Sequence, residues 1–267
     1  MSPHDFGPPL DGGRPMETHR RGTDLAPGLA GAEPGDRSQS RTGPEYSNGA
    51  VSGTDPGRLE TGTTVVALTA ADGAVMAADR RMSLGGRFTA NKNVDKIERV
   101  HPTAAMAISG SVGPAQEVLA SLRAEASLYE SRRGEPMSMT ALSRTAGHLL
   151  RGLPVSPLLA GVDGEGAHVY ELDGGGSVLA DEYAASGSGL QVAYGVLERR
   201  FESDAPVEDA TAAAVDAVAA ASERDTASGD GVTVATVTES GVETDSAADP
   251  DALATGPGAA DRPAEGS

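Results

Sequence analysis

The residue composition of the chain changes within Leu59-Glu60-Thr61-Gly62-Thr63-Thr64-Val65-Val66, where a polar, glycine-rich stretch is followed by a run of β-branched residues. The first 62 residues hold 8 of the 17 prolines and 12 of the 35 glycines, and their apolar residues follow no period. Such a segment buries too little apolar surface to offset the entropy lost on ordering. Residues 1–62 are therefore predicted to form a disordered leader, and the folded domain is predicted to begin at Thr63.

Two interpretations fit this junction. The first is a plain linker that meets a folded domain. The second is autocatalytic cleavage between Gly62 and Thr63, because glycine lets another group approach its carbonyl closely. Cleavage would free the α-amine of Thr63, which titrates near neutral pH and could act as the base for the Thr63 hydroxyl. A threonine hydroxyl needs such an activator before it is an effective nucleophile.

The composition excludes several kinds of site and partner. A net charge of −18 argues against nucleic acid and anionic membranes as partners. Because the chain has no cysteine, it can form no disulfide, thiolate metal site or cysteine nucleophile. Its five histidines lack the helical spacing of metal ligands, which argues against a zinc site. No metal or other cofactor is expected. No membrane span or signal peptide is recognisable, so a cytoplasmic location is the default expectation.

The same acidity suggests the solvent in which the protein works. Lys92 and Lys96 are the only lysines, and every other basic side chain is an arginine. The pattern fits a halophilic protein from a high-salt cytoplasm, where screening reduces the repulsion between acidic side chains. An acidic protein from an organism that lives at low salt is the alternative.

The periodicity of the remaining chain predicts separate runs of strands and helices. Strands are predicted near residues 63–69, 74–79, 97–100, 104–109, 158–162, 168–172, 178–184 and 232–237. Helices are predicted near residues 110–134, 138–150, 190–201 and 207–222, with Ser138 as a candidate N-cap. This order favours a layered α+β sandwich. Residues 63–242 form the predicted domain, and residues 243–267 are predicted to be a disordered acidic tail.

Six short motifs follow one another along this domain. They are Gly62-Thr63-Thr64, Ala78-Asp79-Arg80-Arg81, Asn91-Lys92-Asn93-Val94-Asp95-Lys96, Ile108-Ser109-Gly110, Ser186-Gly187-Ser188-Gly189 and Arg224-Asp225-Thr226-Ala227-Ser228-Gly229. In this order they resemble the β subunits of the proteasome, most closely the archaeal ones, as does Tyr194-Gly195-Val196-Leu197-Glu198. The acidity points to a haloarchaeal member. The resemblance covers about residues 58–240. It implies a four-layer αββα sandwich of the N-terminal nucleophile hydrolase type.

The resemblance also implies a threonine endopeptidase and the residues that carry its chemistry. Thr63 corresponds to the nucleophile, Asp79 and Lys96 to its acid–lysine pair, and Gly110 to the backbone donor of the oxyanion hole. Ser188, Asp225 and Ser228 correspond to the polar group around the threonine amine. The implied partners are α subunits and other β subunits in an α7β7β7α7 stack, with a regulatory ATPase ring bound to the α subunits.

Each of these residues also has an ordinary structural alternative. Asp79 could pair with Arg80 or Arg81, and Lys96 could be a solvated surface lysine, as Lys92 and Asp95 are interpreted to be. Gly110 suits a strand-to-helix turn, which is compatible with the catalytic role. Ser188 could cap a helix, and Asp225 and Ser228 could belong to a loop that ends one.

The resemblance further implies a substrate cavity beside the nucleophile. Its matching positions are Met82, Val94, Ile108 and Val112, with Ser83 where many relatives have threonine. The first four are apolar, so we expect an uncharged wall and chymotrypsin-like cleavage after hydrophobic residues. The sequence departs from the family pattern at Pro114, where many relatives carry an acid, and in its long leader.

Two other functions compete with this one. A ring subunit without activity would be expected to lack Thr63, Lys96 or the Gly62 junction, all of which are present. The other rival is a different N-terminal nucleophile hydrolase, such as an amidase or the bacterial two-component protease. The motif at residues 224–229, and residues 187–189 followed by residues 194–198, favour the archaeal proteasome instead.

Overall fold

The computed structural model describes residues 62–84 and 86–254. Its strands are β1 (Thr64–Ala70), β2 (Gly73–Asp79), β3 (Met82–Leu84), β4 (Phe88–Asn91), β5 (Ile97–His101), β6 (Ala104–Ala107), β7 (Leu158–Asp163), β8 (Gly166–Leu172), β9 (Val178–Asp181), β10 (Tyr183–Gly187), β11 (Val232–Thr238) and β12 (Gly241–Ala247). Its helices are α1 (Val112–Arg133), α2 (Met139–Leu149), α3 (Leu190–Arg200), α4 (Val207–Arg224) and α5 (Asp251–Ala254). The predicted leader lies outside the described residues, except for Gly62.

Two five-stranded antiparallel sheets form the centre of the domain. The first has the order β10-β1-β2-β11-β12, and the second has the order β5-β6-β7-β8-β9. The strands β3 and β4 form a separate two-stranded sheet, and within the described part of the chain they pair with no other strand. The chain passes from the second sheet to the first between β9 and β10, so the single strand predicted at residues 178–184 is two strands.

Alternation along β1 shows how the layers stack. Val65 and Ala67 pack into a cluster with residues of the second sheet, such as Leu158, so they fill the space between the sheets. Val66 and Leu68 point to the opposite face and pack against α3 and α4. Because both faces of β1 are covered, its sequence is an almost continuous apolar run without polar alternation.

The second sheet is covered in the same way by α1 and α2. Leu119 and Leu122 of α1 and Leu142 of α2 pack on its outer face. Ser138 caps α2 as predicted, because its hydroxyl accepts a hydrogen bond from the Ala141 N–H. The layers are therefore helix, sheet, sheet and helix, and the predicted α+β sandwich is confirmed.

The predicted boundary of the acidic tail is wrong. Residues 241–247 form β12, which pairs with β11 along its whole length, and Leu253 of α5 packs against the cluster on α4. β12 is a polar edge strand whose residues 243–246 are exposed, so its backbone hydrogen bonds, and not a buried apolar face, hold it in place. Residues 255–267 lie outside the described residues.

The length and apolar character of a helix decide whether it could span a membrane. None of the helices among residues 62–84 and 86–254 is long and apolar enough to cross a bilayer.

Candidate active site

Thr63 lies directly before β1, at the end of the first sheet where β2 and β10 also end. It is 3% exposed. The antiparallel pairing places Thr64 opposite Gly187 of β10 and Val65 opposite Ala78 of β2. The motifs around Asp79 and Ser188 are therefore brought to the two sides of Thr63 by the strands on either side of it.

On the β2 side, the Asp79 carboxylate is completely buried and accepts four hydrogen bonds. One oxygen accepts from Lys96 Nζ at 2.5 Å and from the Thr64 N–H at 2.9 Å. The other accepts from the backbone N–H groups of Arg81 at 3.0 Å and Gly229 at 2.9 Å. Asp79 forms its ion pair with Lys96, so the alternative pairing with an arginine side chain is wrong.

Lys96 is also buried, with 8% of its surface exposed. Burial lowers the pKa of its ammonium group, and the neighbouring Asp79 opposes that shift. The alternative that Lys96 is a solvated surface lysine is therefore wrong. Lys92, by contrast, is exposed and pairs with Asp230, as expected for a surface charge.

On the β10 side, a hydroxyl group contacts the nitrogen of Thr63, and a carboxylate and a second hydroxyl group continue the network. The Thr63 N–H donates to Ser188 Oγ at 3.1 Å, and Ser188 Oγ donates to Asp225 Oδ2 at 2.5 Å. Ser228 donates to the same oxygen at 2.6 Å and bonds the Thr64 hydroxyl at 2.9 Å. The nitrogen that Ser188 contacts is the peptide nitrogen of Thr63, which follows Gly62 in the chain.

The structural alternatives for this second cluster have different outcomes. The N-cap of α3 is Gly189, and no side chain caps that helix, so the alternative of Ser188 as a helix cap is wrong. Asp225 is the C-cap residue of α4, and its Oδ1 accepts from the Ala227 N–H, so it does belong to a loop that ends a helix. That role leaves Oδ2 available to Ser188 and Ser228.

Two glycines are held in positions that exclude a side chain. A Cβ atom on Gly62 would lie 1.8 Å from Ala227 Cβ. Gly110 has a φ of +115°, and a Cβ atom there would lie 2.6 Å from the Pro154 carbonyl oxygen. The ladder bonds beside Gly110 run from the Ser111 N–H to the Pro154 carbonyl and from the Ser156 N–H to the Ser109 carbonyl. The strand predicted at residues 104–109 ends early, at Ala107, before the turn that carries Gly110.

A cavity of about 100 Å³ opens beside Thr63 and Lys96. Gly62, Gly110 and all four predicted apolar positions line it, namely Met82, Val94, Ile108 and Val112. Ser83 lies outside the lining, and its hydroxyl accepts from the Gly62 N–H at 3.2 Å instead. A larger groove of about 610 Å³ also reaches Gly62 and Gly110 and continues past Ser188 and Leu190.

The expectation of an uncharged cavity wall is wrong. Besides Lys96, the lining includes Arg81, Asp95 and Glu98. Glu98 could have been predicted from strand alternation, because it lies two residues after Lys96, which directly precedes β5, and extended backbone places such residues on the same side. Arg81 could not be found in that way, because it follows the end of β2.

Among the described residues, one group of side chains could hold a metal ion. Asp163, Glu165 and His168 lie together on the β7–β8 hairpin. Asp163 already accepts hydrogen bonds there from the Met139 N–H at 2.8 Å, the Glu165 N–H at 2.9 Å and His168 at 2.9 Å. The group therefore has a structural role in holding the hairpin against α2, and its residues are not part of the lining of the cavity beside Thr63.

Comparison with known proteins places these residues in a family. The family model for the proteasome subunit matches residues 59–237. The proteasome subunit beta of Halorhabdus utahensis is 56% identical over 187 residues, which are 69% of this chain and 80% of that protein. The proteasome subunits beta of Natrialba magadii and Halobacterium salinarum are 52% and 54% identical, each over 69% of this chain and 77% of the relative. The chain therefore belongs to the proteasome subunit family, among the β subunits of haloarchaea.

Proposed function

We propose that the chain is the catalytic β subunit of a proteasome core particle, a threonine endopeptidase that degrades unfolded proteins. The observation that carries the proposal is the convergence of two polar clusters on Thr63. The Asp79–Lys96 pair lies on one side, and Ser188, Asp225 and Ser228 lie on the other.

Activation is proposed to begin with self-cleavage. The Thr63 hydroxyl attacks the Gly62 carbonyl carbon, and the Gly62–Thr63 amide becomes an ester as the nitrogen takes up a proton. Water then hydrolyses the ester, which releases residues 1–62 with a new carboxylate at Gly62 and leaves a free amine on Thr63. The proposed mature chain begins at Thr63, and its folded part extends at least to residue 254, not to residue 242.

Peptide hydrolysis then uses the freed amine. It takes the proton of the Thr63 hydroxyl as the oxygen attacks the substrate carbonyl, while the Lys96 ammonium stabilises the developing charge. The Gly110 N–H is proposed to bind the oxyanion. The leaving amine accepts the proton, and an acyl ester remains on Thr63. Water, activated by the same amine, releases the acid and restores the site.

Burial of Lys96 supports its part in this scheme. The lysine ammonium is a compact charge that lies against the Asp79 carboxylate beside the cavity, whereas an arginine would place a larger planar group there. Burial also strengthens the field of the ammonium at Thr63, because little water screens it. Asp79 fixes the position of the ammonium group and supplies its counter-charge.

The cavity supports a preference for hydrophobic residues on the N-terminal side of the cut bond. That position, called P1 here, would place its side chain between Met82, Val94, Ile108 and Val112. Burying a side chain of leucine or phenylalanine size against apolar groups is favourable by about 1.5–3 kcal/mol. Chymotrypsin-like cleavage is proposed on this basis.

Assembly is proposed to follow the family pattern. The proposed partners are α subunits and other β subunits in an α7β7β7α7 stack, with a regulatory ATPase ring on the α subunits, in the cytoplasm. Residues 63–267 carry 30 acidic and 15 basic side chains, so subunits repel one another at low ionic strength. A halophilic particle, stable in molar salt where the Debye length is about 3 Å, is proposed.

Coexpression tests the function. The full chain is produced with and without its α subunit, and peptide hydrolysis is followed in fractions separated by size. We expect activity in the large particle and none in particles that carry Thr63→Ala. Undiminished hydrolysis by Thr63→Ala particles would remove Thr63 from the mechanism, and full activity in a monomer-sized fraction would contradict the dependence on assembly.

A further inference from the structure

A separate groove lies next to the cavity beside Thr63, and α1 lines both. The α1 side chains Val112, Gln116 and Leu119 line the cavity, whereas Arg123 and Ser127 line a separate groove of about 560 Å³. These positions recur every three or four residues, so they form one stripe along the helix. The cavity and the groove therefore lie end to end along α1, and the change from one to the other falls between Leu119 and Arg123.

Glu98 of β5 lines both spaces. Its carboxylate forms an ion pair with the Arg123 guanidinium across the gap between β5 and α1. The Arg123 Nε–H also donates to the Arg99 carbonyl at 2.7 Å. Because the guanidinium is held by two partners on β5, it has a defined position at the groove end of the cavity.

The other charged side chains of the cavity wall differ from Glu98. Lys96 pairs with Asp79, and Arg81 pairs with Asp230 at 2.7 Å, so both cations have buried or half-buried partners. Asp95 is exposed, and solvent screens its charge. Glu98 is the wall acid whose counter-ion, Arg123, stands outside the cavity in the neighbouring groove.

We propose that Arg123 determines which P1 side chains the cavity accepts, by holding the Glu98 carboxylate in an ion pair. This inference rests on the proposed peptidase function. With Arg123 present, the Glu98 charge is neutralised and the apolar wall favours a hydrophobic P1 residue. Without Arg123, a free carboxylate stands beside the apolar residues of the cavity wall, and that arrangement suits the long apolar stem and terminal cation of lysine or arginine.

The expected size of the change in P1 preference follows from the solvent exposure of the Glu98–Arg123 pair. The side chains of Glu98 and Arg123 are 40% and 41% exposed, so water and salt screen the pair. Pairs of this kind contribute about 0.2–1 kcal/mol, and a P1 cation that gains the freed carboxylate is in a similar setting. At the lowest salt concentration at which the particle stays assembled, we therefore expect a change of roughly 1.4-fold to fivefold in relative kcat/KM, and a smaller change as the salt concentration rises.

The test uses the assembled particle and two fluorogenic peptides that differ only at P1, one with leucine and one with arginine. The quantity measured is the kcat/KM for the arginine peptide divided by that for the leucine peptide. We expect Arg123→Gln to raise this ratio, and Glu98→Gln with Arg123→Gln to return it to the wild-type value. The matched control is Arg200→Gln, which breaks the similarly exposed Arg200–Asp216 pair on the other helical layer and should leave the ratio unchanged.

A second variant keeps the inference testable if Arg123→Gln does not assemble. Glu98→Lys reverses the charge at one position of the cavity wall. It should therefore lower the ratio of arginine-peptide to leucine-peptide kcat/KM, and raise cleavage of a third peptide with glutamate at P1. An unchanged ratio in active Arg123→Gln or Glu98→Lys particles would overturn the inference, as would an equal rise in the single and double variants. Wild-type particles that cut neither peptide would instead overturn the proposed function, and the inference with it.

Discussion

The two polar clusters that flank Thr63 differ in how far solvent reaches them. On one side, Asp79 and Lys96 form an ion pair that is almost completely buried. On the other, Ser188 is exposed and Asp225 is half-buried, and only Ser228 is fully enclosed. Water can replace a lost group on the exposed side, whereas on the buried side a lost partner leaves a charge with nothing to compensate it.

This difference suggests a division of roles. A buried pair keeps a fixed electric field at the Thr63 hydroxyl, because its side chains hold one position and little water screens their charges. The exposed cluster is suited to the proposed change of the Thr63 nitrogen from an amide to an amine that gains and loses protons. Substitutions in the buried Asp79–Lys96 pair should therefore slow the reaction more than substitutions in the exposed cluster.

The largest effect is expected at Lys96. Lys96→Arg keeps the positive charge but replaces a compact, titratable amine with a planar group that stays protonated. We expect kcat to fall at least about a hundredfold, the range for losing a positioned proton-transfer or electrostatic group. Steady-state kinetics on assembled, processed particles measure the change.

The chain offers a matched control for that substitution in Lys92, its one other lysine. The Lys92 side chain is 72% exposed, so Lys92→Arg should leave kcat within about twofold, as expected for an exposed ion pair. Near wild-type turnover in Lys96→Arg, or equal losses in both variants, would contradict the role given to the buried pair.

A second, smaller effect is expected where Gly62 meets the loop of the exposed cluster. Because a Cβ atom on Gly62 would overlap Ala227 Cβ, Gly62→Ala must displace either the cleavage site or the loop that carries Asp225 and Ser228. A misplacement of about 1 Å can slow a reaction by about a hundredfold, and partial relaxation of this loop should limit the loss in self-cleavage to about tenfold.

A second, compensating substitution tests whether the overlap with Ala227 causes the slower self-cleavage. Ala227→Gly in the same chain removes the overlapping atom, so the double variant should process faster than Gly62→Ala alone. Pulse-chase gels that follow loss of the leader measure both rates. A double variant as slow as the single one would show that the clash with Ala227 is not the cause.

The smallest effect is expected at Ser188. Ser188→Ala removes a hydrogen bond to the Thr63 nitrogen, but the position is exposed and water can occupy it. A lost hydrogen bond of this kind contributes about 0.5–1.5 kcal/mol, which corresponds to roughly twofold to tenfold in kcat. A pH profile of kcat measures it, and a loss as large as that of Lys96→Arg would remove the distinction between the clusters.

The sequence predicted the residues on both sides of Thr63 better than it predicted their surroundings. Asp79 and Lys96 were recognisable because each lies in a short motif, and because lysine is rare in this chain. The Glu98–Arg123 pair was not, because it joins residues 25 positions apart and exists only once α1 packs on β5.

Most of the fold was also predictable, because buried strands and amphipathic helices have clear periods. The exceptions are elements that bury little. β12 is polar and β4 is largely exposed, so neither shows the apolar run or regular alternation that marks a buried strand. Their positions depend on hydrogen bonds to a neighbouring strand, which leave little trace in a single sequence.

The mass of the β chain in the active particle tests the central claim most directly. If Thr63 is the nucleophile that cuts the Gly62–Thr63 bond, the wild-type chain should begin at Thr63, and a Thr63→Ala chain assembled in the same way should keep Gly62 joined to residue 63. Intact-mass spectrometry of both particles, with N-terminal sequencing, gives the answer. An active wild-type particle whose β chain begins at Met1 or within the leader would contradict the account.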